Sequence, residues 1–154
     1  MNRHPLLTAV AVALLLSGCG VDPDLEPIVP AAQARERVPE FLDTATGAFN
    51  LPAPPAPSPE EIEEKRCDDR AGQPDPENLI RLFGGRQLPA PAGDSEQQVE
   101  AASAALATAN GWEREKASVG SSWRLRTQEG YALVLRPVSP QSMTVSVASP
   151  CARP

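Results

Sequence analysis

The stretch SWRLRTQEGYALVLRPVSPQSMTVSVA, residues 122–148, decides the fold. Trp123 and Leu125 alternate with Arg124 and Arg126, the two-residue period of a strand with one buried face. Gln128-Glu129-Gly130 fits a three-residue hairpin loop, with glycine where a left-handed backbone is needed. That loop pairs Thr127 with Tyr131, Leu125 with Leu133 and Trp123 with Leu135. A third strand over 143–147 keeps the same parity when Leu135 lies opposite Met143. Trp123, Leu125, Leu133, Leu135, Met143, Val145 and Val147 then share an inner face. Arg124, Arg126, Ala132, Val134, Arg136, Thr144 and Ser146 share the outer one. A slip of one residue would exchange the two sets, so the register is strongly specified.

Working outward, residues 113–119 are a candidate for one further strand, and residues 95–109 read as the main helix. Asp94-Ser95 supplies an N-cap, Ser95 and Gln98 match a capping box, and Asn110-Gly111 is a stop. Val99, Ala102, Leu106 and Ala109 recur on one helical face, small enough to lie close on a sheet. Trp112 is expected to pack under the helix end. Upstream, 79–83 (LIRLF) is a strand or one helical turn, closed by a Gly84-Gly85 turn, with a Pro/Gly loop over 87–94. Residues 60–66 (EEIEEKR) carry acids first and bases last, an order that suits a short helix leading to Cys67. The sum is an α+β domain over 60–154: two layers, one main helix on a small antiparallel meander.

The N-terminal part reads differently. Residues 6–16 (LLTAVAVALLL) form an uncharged run of 11 residues. A spanning helix needs about 20, so this is the core of a signal peptide. Leu16-Ser17-Gly18-Cys19 follows it as a bacterial lipobox, with Cys19 the site of acylation after removal of 1–18. Two or three palmitate-type chains, at about 0.8 kcal/mol per buried methylene, anchor a protein stably. The expected location is therefore the extracytoplasmic face of the cell membrane, held by an N-terminal diacylglyceryl lipid. Residues 19–59 carry prolines at 23, 27, 30, 39, 52, 54, 55, 57 and 59, and read as a flexible tether with an extended spacer over 51–59. Ala34, Val38, Phe41 and Leu42 share a helical face inside it, interrupted by Pro39. Two readings stay open for that piece: a marginal helix in the arm, or a segment that docks on a partner or on the domain.

With Cys19 acylated, Cys67 and Cys151 remain, and in an oxidising compartment two leftover thiols pair most simply with each other. Residues 19–110 hold 17 acidic and 7 basic side chains, against 3 and 6 in residues 111–154. The acidic part argues against nucleic-acid binding. The sole histidine, His4, leaves with the signal peptide, which removes Ser-His-Asp, Cys-His and His-ligated metal chemistry from the mature chain. No cofactor or metal and no enzyme activity are expected.

A helix ending in Gly111-Trp112, short strands around an Arg-rich hairpin with Gly130-Tyr131, a closing Ser149-Pro150-Cys151 and the lipobox together resemble a group of small actinobacterial lipoproteins of unknown function. The likeness covers about 95–152 plus the lipobox, and twelve Arg against two Lys suit a high-GC genome. The resemblance implies the same helix-on-sheet fold and an N-terminal Cys partner for Cys151, and brings no known activity or catalytic residues.

The leading expectation is a non-catalytic binding or accessory module of the cell envelope. Its candidate contact residues are the outward Arg124, Arg126 and Arg136, whose guanidinium groups suit anionic lipid, wall polymer or an acidic envelope protein. Two alternatives stand beside it. One is a carrier of a small apolar ligand between helix and sheet. The other is a carboxylate-dependent hydrolase, which needs two acids in a cleft near Trp112 or Tyr131.

Overall fold

In the computed structural model the described residues are 27–51, 56–58, 62–68, 72, 77–90, 94–116 and 120–154. The signal peptide and Cys19 lie outside them. The elements run β1 (Val29–Pro30), α1 (Ala31–Gly47), β2 (Glu63–Arg66), β3 (Ile80–Pro89), α2 (Ser95–Asn110), β4 (Glu113–Lys116), β5 (Trp123–Arg126), β6 (Ala132–Ser139), β7 (Ser142–Ala148) and β8 (Ala152–Arg153). The sheet has the order β1-β8-β3-β7-β6-β5-β4, with β2 paired to β3 beside that path. All pairings are antiparallel except β1 with β8. Both helices cover one face, α1 over β3 and β7, α2 over β5 and β6. This is the expected two-layer α+β architecture, built larger than the meander alone.

The hairpin register is as read: Trp123 faces Leu135 and Leu125 faces Leu133. The next hairpin is corrected by two residues, since Leu135 lies opposite Val145 and Pro137 opposite Met143. Strand β6 runs on to Ser139, which pairs with Ser142 across a Pro140-Gln141 turn, and a bulge between Pro137 and Ser139 absorbs the extra residue. A shift of two preserves the faces. Leu125, Leu133, Leu135, Met143 and Val145 are all fully buried.

Helix α1 is the principal departure from the sequence reading. Residues 29–47 belong to the folded domain and not to a tether, and Ala34, Val38, Phe41, Leu42 and Ala45 are buried in its core. Pro39 sits inside the helix without ending it. An internal proline costs about 3 kcal/mol. Burying Val38, Phe41 and Leu42, at roughly 1.5–3 kcal/mol each, exceeds that. Leu51 and Ala56 also pack on the core, so the spacer expected over 51–59 turns back on the domain wherever it is described. Residues 52–55 and 59 lie outside the described set.

Two further expectations are overturned. Gly84-Gly85 is not a turn, and β3 passes straight through it for ten residues. Gly84 faces α1, where a Cβ would come within 2.9 Å of Val38 Cγ1, so glycine here lets the helix lie against the strand. Residues 63–66 form strand β2 and not a helix, because pairing with Ile80–Phe83 satisfies their backbone while the side chains stay in water. The two outer strands β2 and β4 carry only charged side chains, which discourages further strand addition at those edges.

Helix α2 matches its expectation with two refinements. Asp94 is the cap, its carboxylate accepting from Gln97 N at 3.1 Å, and Ser95 is the first helical residue. Val99, Ala102 and Leu106 are buried as read, but Ala109 is exposed. Gly111 closes the helix at φ 64°.

Candidate functional site

The strands set one end of the domain against the other. At one end lie the β5–β6 hairpin tip, Pro27, the disulfide and β8; at the other lie the β6–β7 hairpin and the start of α2. Cys67 and Cys151 are bonded, with Cα atoms 6.2 Å apart and 84 positions apart in sequence. Arg81 Nη2 approaches Cys151 Sγ at 3.5 Å. The bond joins the loop after β2 to the segment before β8.

Arg124, Arg126 and Arg136 all stand on the outer face, as alternation demanded. The register places Arg126 beside Ala132, Arg124 beside Val134, and Arg136 two residues further along β6. They step diagonally from the hairpin end to the opposite end. The face is not purely cationic. Arg124 donates to Glu115 on β4 at 3.4 Å, and Glu113 lies across from Arg126. Arg136 differs, because it opens onto a groove of about 590 Å³ lined also by Asp94, Glu96, Ser122, Val138 and Ser139. Guanidinium, carboxylates and hydroxyls there can bind a polar surface of mixed charge.

A second cluster was invisible in the sequence because it depends on α1. Arg37 donates to both oxygens of Glu129 at the hairpin tip and also to Glu40. Glu129 and then Glu40 hold its guanidinium charged. Phe41 sits beneath, 5.0 Å from Arg37, edge-on to Trp112 at 5.6 Å and tilted against Tyr131 at 4.9 Å. Tyr131 is fully buried, and its hydroxyl has no hydrogen-bond partner among the described residues. Trp112 is buried, and the ring it meets is Phe41 of α1. The shallow cleft here, about 280 Å³, holds Glu40 and Glu129 near Trp112. Those are the two acids a hydrolase would need, yet both are engaged by one guanidinium. The only sequence signal for the cluster was the helical spacing of Val38, Phe41 and Leu42.

Two other basic side chains brace the fold. Arg114 lies 3.5 Å over the Trp123 ring and donates to Ser103 on α2 at 2.8 Å, tying β4 to the helix. Arg86 is 7 % exposed and reaches Asp43 at 2.7 Å and Thr46 at 3.2 Å beneath the end of α1. Among the described residues no group of three His, Cys, Asp or Glu side chains is placed to hold a metal ion. No described helix is long and apolar enough to cross a membrane. The described buried side chains between helices and sheet form one hydrophobic cluster.

No family model, curated protein or solved structure matches this chain.

Proposed function

We propose that this protein is a lipid-anchored module on the extracytoplasmic face of a bacterial membrane, acting by contact and without turnover. The observation that carries the reading is the Cys67–Cys151 bond. Disulfides persist outside the cytosol, which is where the apolar run and lipobox ending at Cys19 would send the chain. The resemblance to small actinobacterial lipoproteins points the same way. Cys19→Ser tests the anchor. The native protein is expected in the membrane fraction with an acylated N-terminal Cys by mass spectrometry, and the variant in the soluble fraction. An intact leader with a bare thiol, or a variant that still sediments with membranes, would overturn the anchor.

The contact surface we assign is the outer-face patch bearing Arg124, Arg126 and Arg136, each exposed, with an anionic envelope polymer or an acidic envelope protein as its partner. Arg124→Glu combined with Arg126→Glu is expected to abolish crosslinked partners in cells without unfolding the domain, the like charges it sets against Glu115 and Glu113 costing up to about 1 kcal/mol each. A double variant that keeps every wild-type crosslink removes this face from the function.

A further inference from the structure

Resting on the lipid anchor just proposed, the geometry points to a fixed pose on the bilayer: the end carrying Pro27, Ile28 and Pro154 lies against the lipid surface, and the Arg136 groove faces away. The described fold starts at Pro27, so only seven residues separate it from Cys19. Eight Cα steps reach at most about 28 Å even when fully extended. Strand β3 has ten residues and rises about 30 Å from the Ile80 end to the Pro89 end. Pro27 belongs to the Ile80 end, packed on Gly130 and near Pro150. The groove belongs to the Pro89 end, since Pro89 pairs with Ser142 beside the Ser139–Ser142 turn that borders the groove. With the groove on the bilayer the linking residues would have to stretch to nearly their full reach, whereas with Pro27 at the surface they need no extension.

The anchored end also has the surface such a contact uses. Ile28, Val29, Pro30 and Pro154 form an apolar strip with Arg153 beside it. Ile28 is 49 % exposed, and only Val138 among the described large aliphatic side chains matches it, at 55 %. Val138 lines the groove at the opposite end, so the two side chains report the two poles. The linking residues include Asp22, Asp24 and Glu26, which an anionic lipid surface repels. The contact is therefore held by the tether and the apolar strip, and does not depend on anionic headgroups.

Hydroxyl-radical footprinting of the full acylated protein on phosphatidylcholine vesicles tests this, with the Cys19→Ser protein free in solution as reference. Ile28 is expected to lose most of its oxidation on vesicles while Val138 keeps its solution rate. Equal oxidation of Ile28 in both states, with Cys19 acylated by mass, overturns the pose and leaves the anchor standing. Loss at both positions also overturns it, since the domain would then have no preferred pole. A bare Cys19 in the native protein overturns the anchor and the pose together.

Discussion

Arg37 and Glu129, 92 positions apart in sequence, are joined through both carboxylate oxygens, so helix α1 is fastened to the tip of the β5–β6 hairpin. The side chains are 31 % and 38 % exposed, so water screens the pair. A double-mutant cycle with Arg37→Ala and Glu129→Ala is expected to give a coupling of about 0.5–1 kcal/mol that shrinks in high salt. Arg37→Ala should be the costlier single change, because it also loses the contact with the Phe41 ring. A coupling of zero at low salt would mean the fastening is not formed in solution.

Beneath that pair, the Tyr131 hydroxyl is buried without a hydrogen-bond partner among the described residues. Removing it in Tyr131→Phe is expected to leave stability unchanged or raise it by up to about 1 kcal/mol in neutral urea titrations. Burial, and then the Glu129 carboxylate, push the phenol above its ordinary value. The folded state thus favours the neutral phenol. Stability is unaffected below the unfolded value of about 10 and falls as pH rises from there toward the folded one. The Phe variant should lack this part of the alkaline loss, so the two curves diverge above pH 10. Parallel curves would contradict the burial of the hydroxyl.

Gly84 is the floor on which α1 rests. Gly84→Ala sets a methyl 2.9 Å from Val38 Cγ1, a stiff β-branched side chain with no exposure. The expected cost is about 1–3 kcal/mol by denaturant unfolding. Val38→Ala opens space at the same point, so the double variant should be more stable than the sum of the single effects predicts. Strict additivity would show that the helix does not sit on this strand.

The disulfide closes a loop of 84 positions. Replacing Cys67 and Cys151 by Ser together is expected to cost about 4 kcal/mol, read from the urea midpoint. A wild-type protein whose midpoint does not move under reducing agent would mean that the bond adds nothing to the fold.

How much of this was legible follows from where apolar side chains alternate. The faces of the 122–148 meander were readable because only one parity buries Leu125, Leu133 and Val145 together. The two-residue error in the second hairpin arose because Pro137 and Val138 read as loop, whereas a bulge keeps them in the strand. Helix α1 was hidden by Pro39 and by the prolines around it. Local propensity opposed a helix there, and only tertiary burial of Val38, Phe41 and Leu42 decides it. The glycine pair in β3 looked like a turn because its purpose, room for Val38, lies in another segment. The Arg positions of the outer face were legible from parity alone. The ion pair of Arg124 with Glu115 was not, since it needed the pairing of β4 with β5.

Val29 bonds to the carbonyl of Cys151, and Val29 and Pro30 run beside Ala152 and Arg153 as the sheet's one parallel pairing. During synthesis the first of these partners is made more than a hundred residues before the second. The N-terminal helix therefore has no finished surface to dock on until β3 and β7 exist, and its adjoining strand waits for the final few residues. Such a chain cannot complete its sheet while synthesis is still under way. Its last step of assembly, zipping the beginning to the end, comes only after the whole polypeptide has emerged.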